Sequence, residues 1–204
     1  MTPDTAIADL RFAAIDFESA GAARGETDVP VQIGIASWSP AAGHGGQFVS
    51  FLRTSRPITW AARKVHGISP ADLADAPAMV SLWPEIHSRL ADAVVVAHGK
   101  GTERRFLRAF PGHPFSTWID TLWLARAAWP ELPSHSLGAV CRRFALADAV
   151  DSLVAGRRWH DALYDAAASL VLLEHIIGSF GLAGRPLAAL LTPDASAWHR
   201  SRQP

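Results

Sequence analysis

The sequence predicts an α/β fold in which a mixed five-stranded sheet is flanked by helices. Apolar segments with loose alternation come first, within residues 10–52, and indicate an antiparallel meander. A continuous apolar run at residues 93–98 is typical of a central strand that is buried on both faces. Segments with helical spacing occupy most of the second half, so the later strands are joined through helices that cover the sheet.

Three strands are predicted in the N-terminal part of the chain, at residues 10–17, 31–38 and 47–52. The glycine-rich residues 43–46 are expected to form the turn between the second strand and the third. Apolar spacing after this meander predicts two helices, at residues 60–65 and 80–90.

In the second half, the strand at residues 93–98 leads into a helix that Thr102 can cap and that extends to Phe110. Residues 115–119 predict the fifth strand. Three further helices are predicted at residues 121–129, 137–144 and 161–180. We therefore expect a single domain over residues 1–183, followed by a flexible C-terminal tail over residues 184–204 that frays.

The composition is that of an ordinary globular protein, since 49% of the 204 residues are hydrophobic and 19% are charged. The formal net charge is zero, so any contact with a nucleic acid must depend on local charge. Cys141 is the only cysteine and cannot form an internal disulfide. No signal peptide and no apolar stretch of membrane-spanning length is recognised, so we expect a cytoplasmic protein without a membrane partner.

Local positive charge comes from arginine pairs at residues 104–105, 142–143 and 157–158. The planar guanidinium group binds phosphate in a bidentate manner. Two of the three pairs adjoin acidic segments, which favours a role at a phosphate-containing substrate. The alternative is that these arginines form solvated helix faces.

Asp16 and Glu18 lie one residue apart at the end of the first predicted strand. Side chains at positions i and i+2 of a strand point to the same face, so the two carboxylates project together. Placing two like charges side by side is costly unless a positive charge compensates them, and a divalent cation with oxygen ligands does so. The alternative is a solvent-exposed strand end with two hydrated acids.

Three blocks in the sequence resemble the signature of the DEDDh 3′→5′ exonucleases. The first is Asp16-Phe17-Glu18 with Gly21 shortly after it, and the second is Ala-His-Gly-Lys-Gly-Thr-Glu at residues 97–103. The third places His160 five residues before Asp165. Each block alone is a weak signal, but three in the family's order are a strong one. The resemblance covers residues 12–177 and extends to polymerase proofreading subunits, ribonuclease T and oligoribonuclease.

The resemblance implies a ribonuclease-H-like sheet and a metal-dependent 3′→5′ exonuclease. Such an enzyme releases nucleoside monophosphates from single-stranded 3′ ends of DNA or RNA, with DNA favoured here. It also implies a polymerase or a second copy of the chain as a further partner. Two divalent cations, Mg²⁺ or Mn²⁺, are the implied cofactors. Their implied ligands are Asp16, Glu18, Glu103 and Asp165.

His160 is the implied general base, because an imidazole titrates near neutral pH and can accept a proton from water. Five residues before Asp165, it would lie about 140° away around a shared helix. It therefore fits the loop before that helix, with Asp161 as the N-cap. A sister subfamily has a tyrosine four residues before this aspartate, and Asp161 occupies that position here. The alternative for His160 is a surface histidine beside Trp159.

The middle block departs from the family pattern, which reads Ala-His-Asn-Ala-x-Phe-Asp. Gly99, Thr102 and Glu103 replace the expected Asn, Phe and Asp. The longer Glu103 can preserve metal binding through a shifted backbone, weaken the second ion or abolish catalysis. We expect retained activity, with Mn²⁺ preferred as the more tolerant ion, because Gly99 and Gly101 let the backbone adjust. In the alternative reading Glu103 only complements the helix dipole.

The leading function has two competitors in other classes. The first is a catalytically weak nucleic-acid-binding or polymerase-associated module, in which Glu103 has impaired the second metal site. The second is a metal-stabilised protein–protein module without affinity for oligonucleotides.

Residues that contact the terminal nucleotide are also implied by the resemblance. On this analogy His66, Gly67 and Ile68 line the pocket of the terminal base, and Phe17, between the first two carboxylates, is also a substrate-binding residue. Most of the eight tryptophans are expected in the core, but Trp60 and Trp159 flank candidate site positions and could meet a base. Stacking of a base on an apolar wall tolerates any sequence, so we expect little base preference.

Overall fold

The computed structural model describes residues 2–22 and 25–200. Its strands are β1 (Phe12–Ser19), β2 (Pro30–Ser39), β3 (Gly43–Phe51), β4 (Val94–Ala97) and β5 (Trp118–Asp120). Its α-helices are α1 (Trp60–His66), α2 (Trp83–Leu90), α3 (Gly101–Leu107), α4 (Thr121–Ala128), α5 (Leu137–Arg143), α6 (Ala147–Leu153), α7 (Ala162–Ser179), α8 (Ala188–Leu191) and α9 (Ala195–Arg200). Short 3₁₀ segments are Ile7–Asp9, Pro70–Leu73 and Met79–Leu82.

The five strands form one mixed sheet in the order β3-β2-β1-β4-β5. The first three strands are antiparallel, as short connections allow, whereas β4 and β5 run parallel to β1 and are reached through helical crossovers. This confirms the predicted mixed sheet with flanking helices. Because β1 is the central strand, the acidic residues at its C-terminal end lie midway along the edge of the sheet that the carboxyl ends of the parallel strands form.

Several element boundaries differ from the sequence prediction. β3 begins at Gly43, so the glycines predicted as a turn lie inside the strand, and residues 40–42 make the turn. Gly43 and Gly46 have φ values of +74° and +59°, which only glycine adopts readily. β1 continues to Ser19 and therefore includes both Asp16 and Glu18.

The helices show two further differences. α3 begins at Gly101 with Lys100 at the N-cap position, so Thr102 does not cap it as predicted. α6, which buries Val150 beneath the domain surface, was not predicted. Val150 is its one buried residue, so its sequence carries no periodic apolar pattern.

α7 is the core helix and packs across β1 and β2. Thirteen of its 18 residues are buried, on most sides of the helix. By length and composition alone it would suffice to cross a membrane, which the sequence analysis did not recognise. Its burial within the domain identifies it instead as the centre of one apolar layer, while α2 and α3 cover the opposite face of the sheet around Phe106.

Residues 184–200 pack onto the domain, which differs from the fraying tail predicted for residues 184–204. Leu187, Leu190 and Trp198 are buried in the main core. The Leu187 amide donates to the Thr5 carbonyl at 2.8 Å, and a β-bridge joins this segment to the N-terminal region. The apolar side chains were hidden among Pro, Ser and Arg residues that resemble a tail. Residues 201–204 lie outside the described residues.

Candidate active site

The C-terminal end of β1 forms the floor of the candidate site. β1 pairs with β4 only from Phe12 to Ala14, so Asp16 and Glu18 lie beyond the point where the two strands separate. On the other side β1 stays paired with β2, which places Asp16 opposite Gly34 and Glu18 opposite Gln32. A crevice at the carboxyl ends of parallel strands is the usual ligand position in such sheets.

α7 brings a third carboxylate to this floor. Asp161 is its N-cap, as predicted, and accepts hydrogen bonds from the amides of Leu163 and Tyr164. Asp165 follows in the first turn. Ligand atoms of Glu18, His160 and Asp165 all lie within 4.8 Å of one another, which is the spacing of groups that share a metal ion.

α3 supplies the fourth carboxylate, Glu103, whose side chain is only 4% exposed. Its Oε2 atom and the Oδ1 atom of Asp165 are buried and lack a hydrogen-bond partner within the described part of the chain. Buried carboxylate oxygens are normally satisfied by donors. Two such oxygens without donors, in a group of convergent acids, fit the ligand sphere of a hard cation.

The four carboxylates interact electrostatically around Asp16. Burial raises the pKa of Asp16 well above its usual value, and the charges of Asp165, Glu103 and Glu18 raise it further. The structure therefore brings together the four acids that the sequence predicted as metal ligands. Without a cation their joint ionisation is strongly opposed.

Each of the other three carboxyl groups also has an elevated pKa. Burial, followed by the charges of Asp165 and Asp161, raises the pKa of Glu18 to about 8. Burial raises the pKa of Asp165 to about 7, although a hydrogen bond from the His160 backbone opposes this. Burial is also the main cause that raises the pKa of Glu103 to about 7. Ionisation of all three near neutral pH requires a compensating positive charge.

His160 lies in the turn just before α7, where the sequence predicted it, and is exposed. Its φ of +67° places a non-glycine residue in the left-handed region. The turn closes through a 3.0 Å hydrogen bond from the Asp161 amide to the Arg158 carbonyl. The backbone conformation of this turn therefore holds His160 beside Glu18 and Asp165.

Gln32 and Arg157 anchor this turn, and sequence reasoning did not identify either role. The Gln32 amide group donates to Asp161 Oδ2 at 3.2 Å and accepts from the Ala162 amide at 3.0 Å. Arg157 donates to the same Asp161 oxygen at 2.6 Å. A polar residue at the buried Gln32 position, within the apolar run of β2, was the available signal.

Asp120 is a third residue whose role the sequence analysis missed. It caps α4 by accepting from the Leu122 amide, and it also accepts from the amides of Gly99 at 2.9 Å and Lys100 at 3.2 Å. It thus fixes the turn that begins α3 and positions Glu103. An aspartate just before an apolar helical pattern is an N-cap signal that could have revealed it.

The predicted nucleotide contacts fall into two groups. His66, Gly67 and Ile68 line a cleft of about 560 Å³ that reaches His160. His66 Nε2 lies 3.1 Å from the Ser19 carbonyl, while its Nδ1 accepts from the Ile68 amide, and burial lowers its pKa. These contacts fit a neutral imidazole that donates through Nε2.

Phe17 does not line this cleft with its side chain, contrary to the sequence prediction. It is 6% exposed and packs edge-on against Phe106, with ring centroids 5.4 Å apart, in the core on the opposite face of the sheet. The alternation of β1 that brings Asp16 and Glu18 together turns Phe17 away from them.

A sequence model of the exonuclease family matches residues 13–173. DNA polymerase III subunit epsilon of Rickettsia typhi is 28% identical over 79% of this chain and 71% of its own length. Exodeoxyribonuclease 10 of Escherichia coli K12 is 29% identical over 67% of this chain and 57% of its own length. A PolC-type DNA polymerase III of Halalkalibacterium halodurans is 30% identical, but the chain spans only 9% of that protein.

Solved exonuclease structures are also similar to this chain. Exonuclease X in complex with 5′ overhanging duplex DNA is 26% identical, with a TM-score of 0.69 over 88% of this chain and 98% of that one. The nuclease domain of 3′hExo, described as a DEDDh family member bound to rAMP, is 12% identical with a TM-score of 0.66. That second similarity concerns the fold. It covers 86% of this chain and 95% of the nuclease domain.

Proposed function

The chain belongs to the exonuclease family and is a 3′→5′ exonuclease, and from this premise we propose its substrate, its metal ions and the roles of its residues. We propose that it removes nucleoside monophosphates from single-stranded 3′ ends, with DNA favoured over RNA. The relatedness to a polymerase subunit and to an exodeoxyribonuclease supports DNA.

One observation carries the assignment of the site. Three acids from β1 and α7, together with Glu103 of α3, lie close enough to interact electrostatically, and two of their buried oxygens have no hydrogen-bond donor among the described residues. A fold that gained only stability from this region would pair or hydrate these groups. Ionisation of these four clustered carboxylates is unfavourable without cations and favourable around them. A site that cleaves phosphodiesters with bound metal ions requires such an arrangement.

Members of this family generally use divalent metal ions, and we propose two Mg²⁺ or Mn²⁺ ions here. Asp16 would contact both, Glu18 and Asp165 would each hold one, and Glu103 would act mainly through water. When bound, such ions neutralise charge on the phosphoryl oxygens and activate a water molecule.

We assign the proton transfer to His160. Its exposed position beside Glu18 and Asp165 lets the imidazole accept the proton of the attacking water and then release it to solvent. The Arg157–Asp161 ion pair and Gln32 hold the turn in place during this step. His66 and Ile68 bound the space where the terminal nucleoside would sit.

Glu103 supports an active enzyme rather than a weak binding module. Its carboxylate is buried close enough to Asp16 to raise the pKa of that residue, so the extra methylene has not removed it from the group. Gly99, with a φ of +88°, precedes α3 and gives the backbone the freedom that a longer side chain needs.

The test is hydrolysis of a 5′-labelled single strand in Mg²⁺, in Mn²⁺ and in chelator. The wild-type chain should shorten the strand from its 3′ end and release monophosphates only with metal. Asp16→Asn and Asp165→Asn should lose more than about 99% of this rate while remaining folded. Cleavage by either variant at the wild-type rate would overturn the assignment. Matched DNA and RNA strands in the same assay decide the substrate.

A polymerase or a second copy of the chain is the proposed protein partner. The similarity to DNA polymerase III subunit epsilon supports the polymerase. Light scattering of the purified chain distinguishes the alternatives, because a monomer at micromolar concentration excludes a stable homodimer.

A further inference from the structure

Helix α1 lies directly against the backbone that leaves the metal site. The Thr59 amide, at the N-terminal end of α1, donates to the Ala20 carbonyl at 2.8 Å. At the other end His66 contacts the Ser19 carbonyl. A side chain on Gly21 would collide with Thr59, so glycine is needed for this close approach. Ala20 is only two residues beyond Glu18, at most about 7 Å along the chain.

Trp60 is the first residue of α1 and is 75% exposed, the most exposed of the large apolar side chains in the described ranges. Exposure of so much of an indole to water is unfavourable, because tryptophan normally buries a large apolar area. The residues that follow Glu18, namely Ser19, Ala20, Gly21 and Ala22, offer no large side chain. Trp60 is therefore the aromatic surface next to this segment of the site.

The positive charge of α1 is complementary to a polyanion. It contains Arg63, Lys64 and His66 but no acidic residue. Arg63 already acts on Asp72, whose pKa it helps to lower. Lys64 lies over the Trp60 ring, 5.2 Å from its centroid. Within residues 2–22 and 25–200 it makes no ion pair. It is free to meet a phosphate while it orients the indole.

We propose that Trp60 stacks on a base of the single strand next to the cleaved bond, and that Lys64 contacts a phosphate of the same strand. This stacking platform, formed by Trp60 and Lys64, rests on the proposed exonuclease function. It determines how the enzyme binds a strand longer than one nucleotide. Every base has a π-face, so such a contact is tolerant of sequence. Trp60 is a positioning residue, because it lies outside the group of carboxylates.

The test compares Trp60→Ala, Trp60→Phe and the control Trp123→Ala, which removes a 47% exposed indole from α4. Two substrates are used: a 12-nucleotide single strand, and the p-nitrophenyl ester of thymidine 5′-phosphate, which fills only the terminal site. Trp60→Ala should raise KM for the strand about fivefold to tenfold, with a much smaller change in kcat. The factor by which Trp60→Ala raises KM for the ester should be at least about fivefold smaller. Trp60→Phe should bring KM for the strand most of the way back to the wild-type value.

Binding is measured separately by fluorescence anisotropy with the labelled strand in an Asp16→Asn background, so that the strand is not consumed. Trp60→Ala should weaken Kd by about the same factor as KM, and Trp123→Ala should not. Equal losses on strand and ester, or equal losses in Trp60→Ala and Trp123→Ala, would overturn the platform. An active wild type with unaltered KM and Kd in Trp60→Ala would also overturn it. An inactive wild type would instead refute the proposed exonuclease.

Discussion

Gly34 of β2 lies directly against the backbone of Ala162 in the first turn of α7. A Cβ atom at position 34 would overlap the carbonyl group of Ala162 and the amide of Leu163. Gly34 is also the partner of Asp16 in the β1–β2 ladder. The absence of a side chain therefore sets the height of α7 above the sheet and with it the distance from Asp165 to Asp16.

Replacement of Gly34 by alanine should damage both folding and activity. The added methyl group forces α7 outward, at a cost of about 1–3 kcal/mol in the free energy of unfolding. The same shift moves Asp165 and His160 away from Glu18, so the nuclease rate should fall more than tenfold. Urea unfolding and single-strand hydrolysis measure the two effects.

Gly178→Ala is the matched control in the same helix. Apart from its chain neighbours and the adjoining helix backbone, no atom of the described residues lies within 4 Å of its added Cβ, and alanine favours the helical backbone. It should leave hydrolysis intact and raise the stability by up to about 1 kcal/mol. Full activity in Gly34→Ala would show that the close approach does not position the site.

Removal of the metal should make stability strongly dependent on pH. Burial raises the pKa of Glu18 to about 8 and those of Glu103 and Asp165 to about 7. The folded chain then holds protons that the unfolded chain has already lost, so stability must fall as pH rises from the unfolded pKa values near 4 to about 8. In chelator, the free energy of unfolding should be at least about 2 kcal/mol lower at pH 8.5 than at pH 5.

Two comparisons identify the carboxylates as the origin of this dependence. Asp16→Asn removes one charge and should flatten the pH profile in chelator. Saturating Mg²⁺ or Mn²⁺ should raise the melting temperature of the wild type most at pH 8.5, because the bound cation stabilises the folded state. A flat profile in chelator would mean that the four acids are not buried together.

The sequence predicted the carboxylates and the histidine of this site better than the residues that hold them in place. The i, i+2 spacing of Asp16 and Glu18 and the position of His160 before a capped helix follow from local periodicity, so they could be predicted. Local signals marked Gln32 as a polar residue within an apolar run and Asp120 as an N-cap, but not their partners, which lie about 130 and 20 residues away along the chain. Leu187 and Trp198 were misjudged for the same reason, since their burial depends on the N-terminal segment and the core.

Asp161 should contribute separately as a helix cap and as the partner of Arg157. Asp161→Ala removes the cap of α7 and should cost about 1–2 kcal/mol of unfolding free energy, with a lower kcat because the His160 turn loosens. Asp161→Asn retains a capping oxygen but loses the ion pair, so it should cost less than half as much. Thermal unfolding and initial rates of strand hydrolysis test both variants. Equal effects of the two substitutions would place the whole contribution in the ion pair.

Glu103 is the position at which this chain departs from its family, and its variants separate charge from length. Glu103→Gln retains the length but removes the charge, so it should lower kcat in Mg²⁺ more than about 100-fold. Because it also removes a buried carboxylate, it should be more stable than the wild type in chelator at pH 8.5.

Glu103→Asp restores the residue that the family uses at this position, and its rate should stay within about fivefold of the wild type. The control Glu131→Gln, at an exposed position in the turn after α4, should change neither the hydrolysis rate nor the stability. Single-turnover hydrolysis in Mg²⁺ and in Mn²⁺, with urea unfolding in chelator, measures all three. If Glu103→Gln hydrolyses the strand normally while Glu103→Asp does not, Glu103 acts through its packing and the second metal ion is held without it.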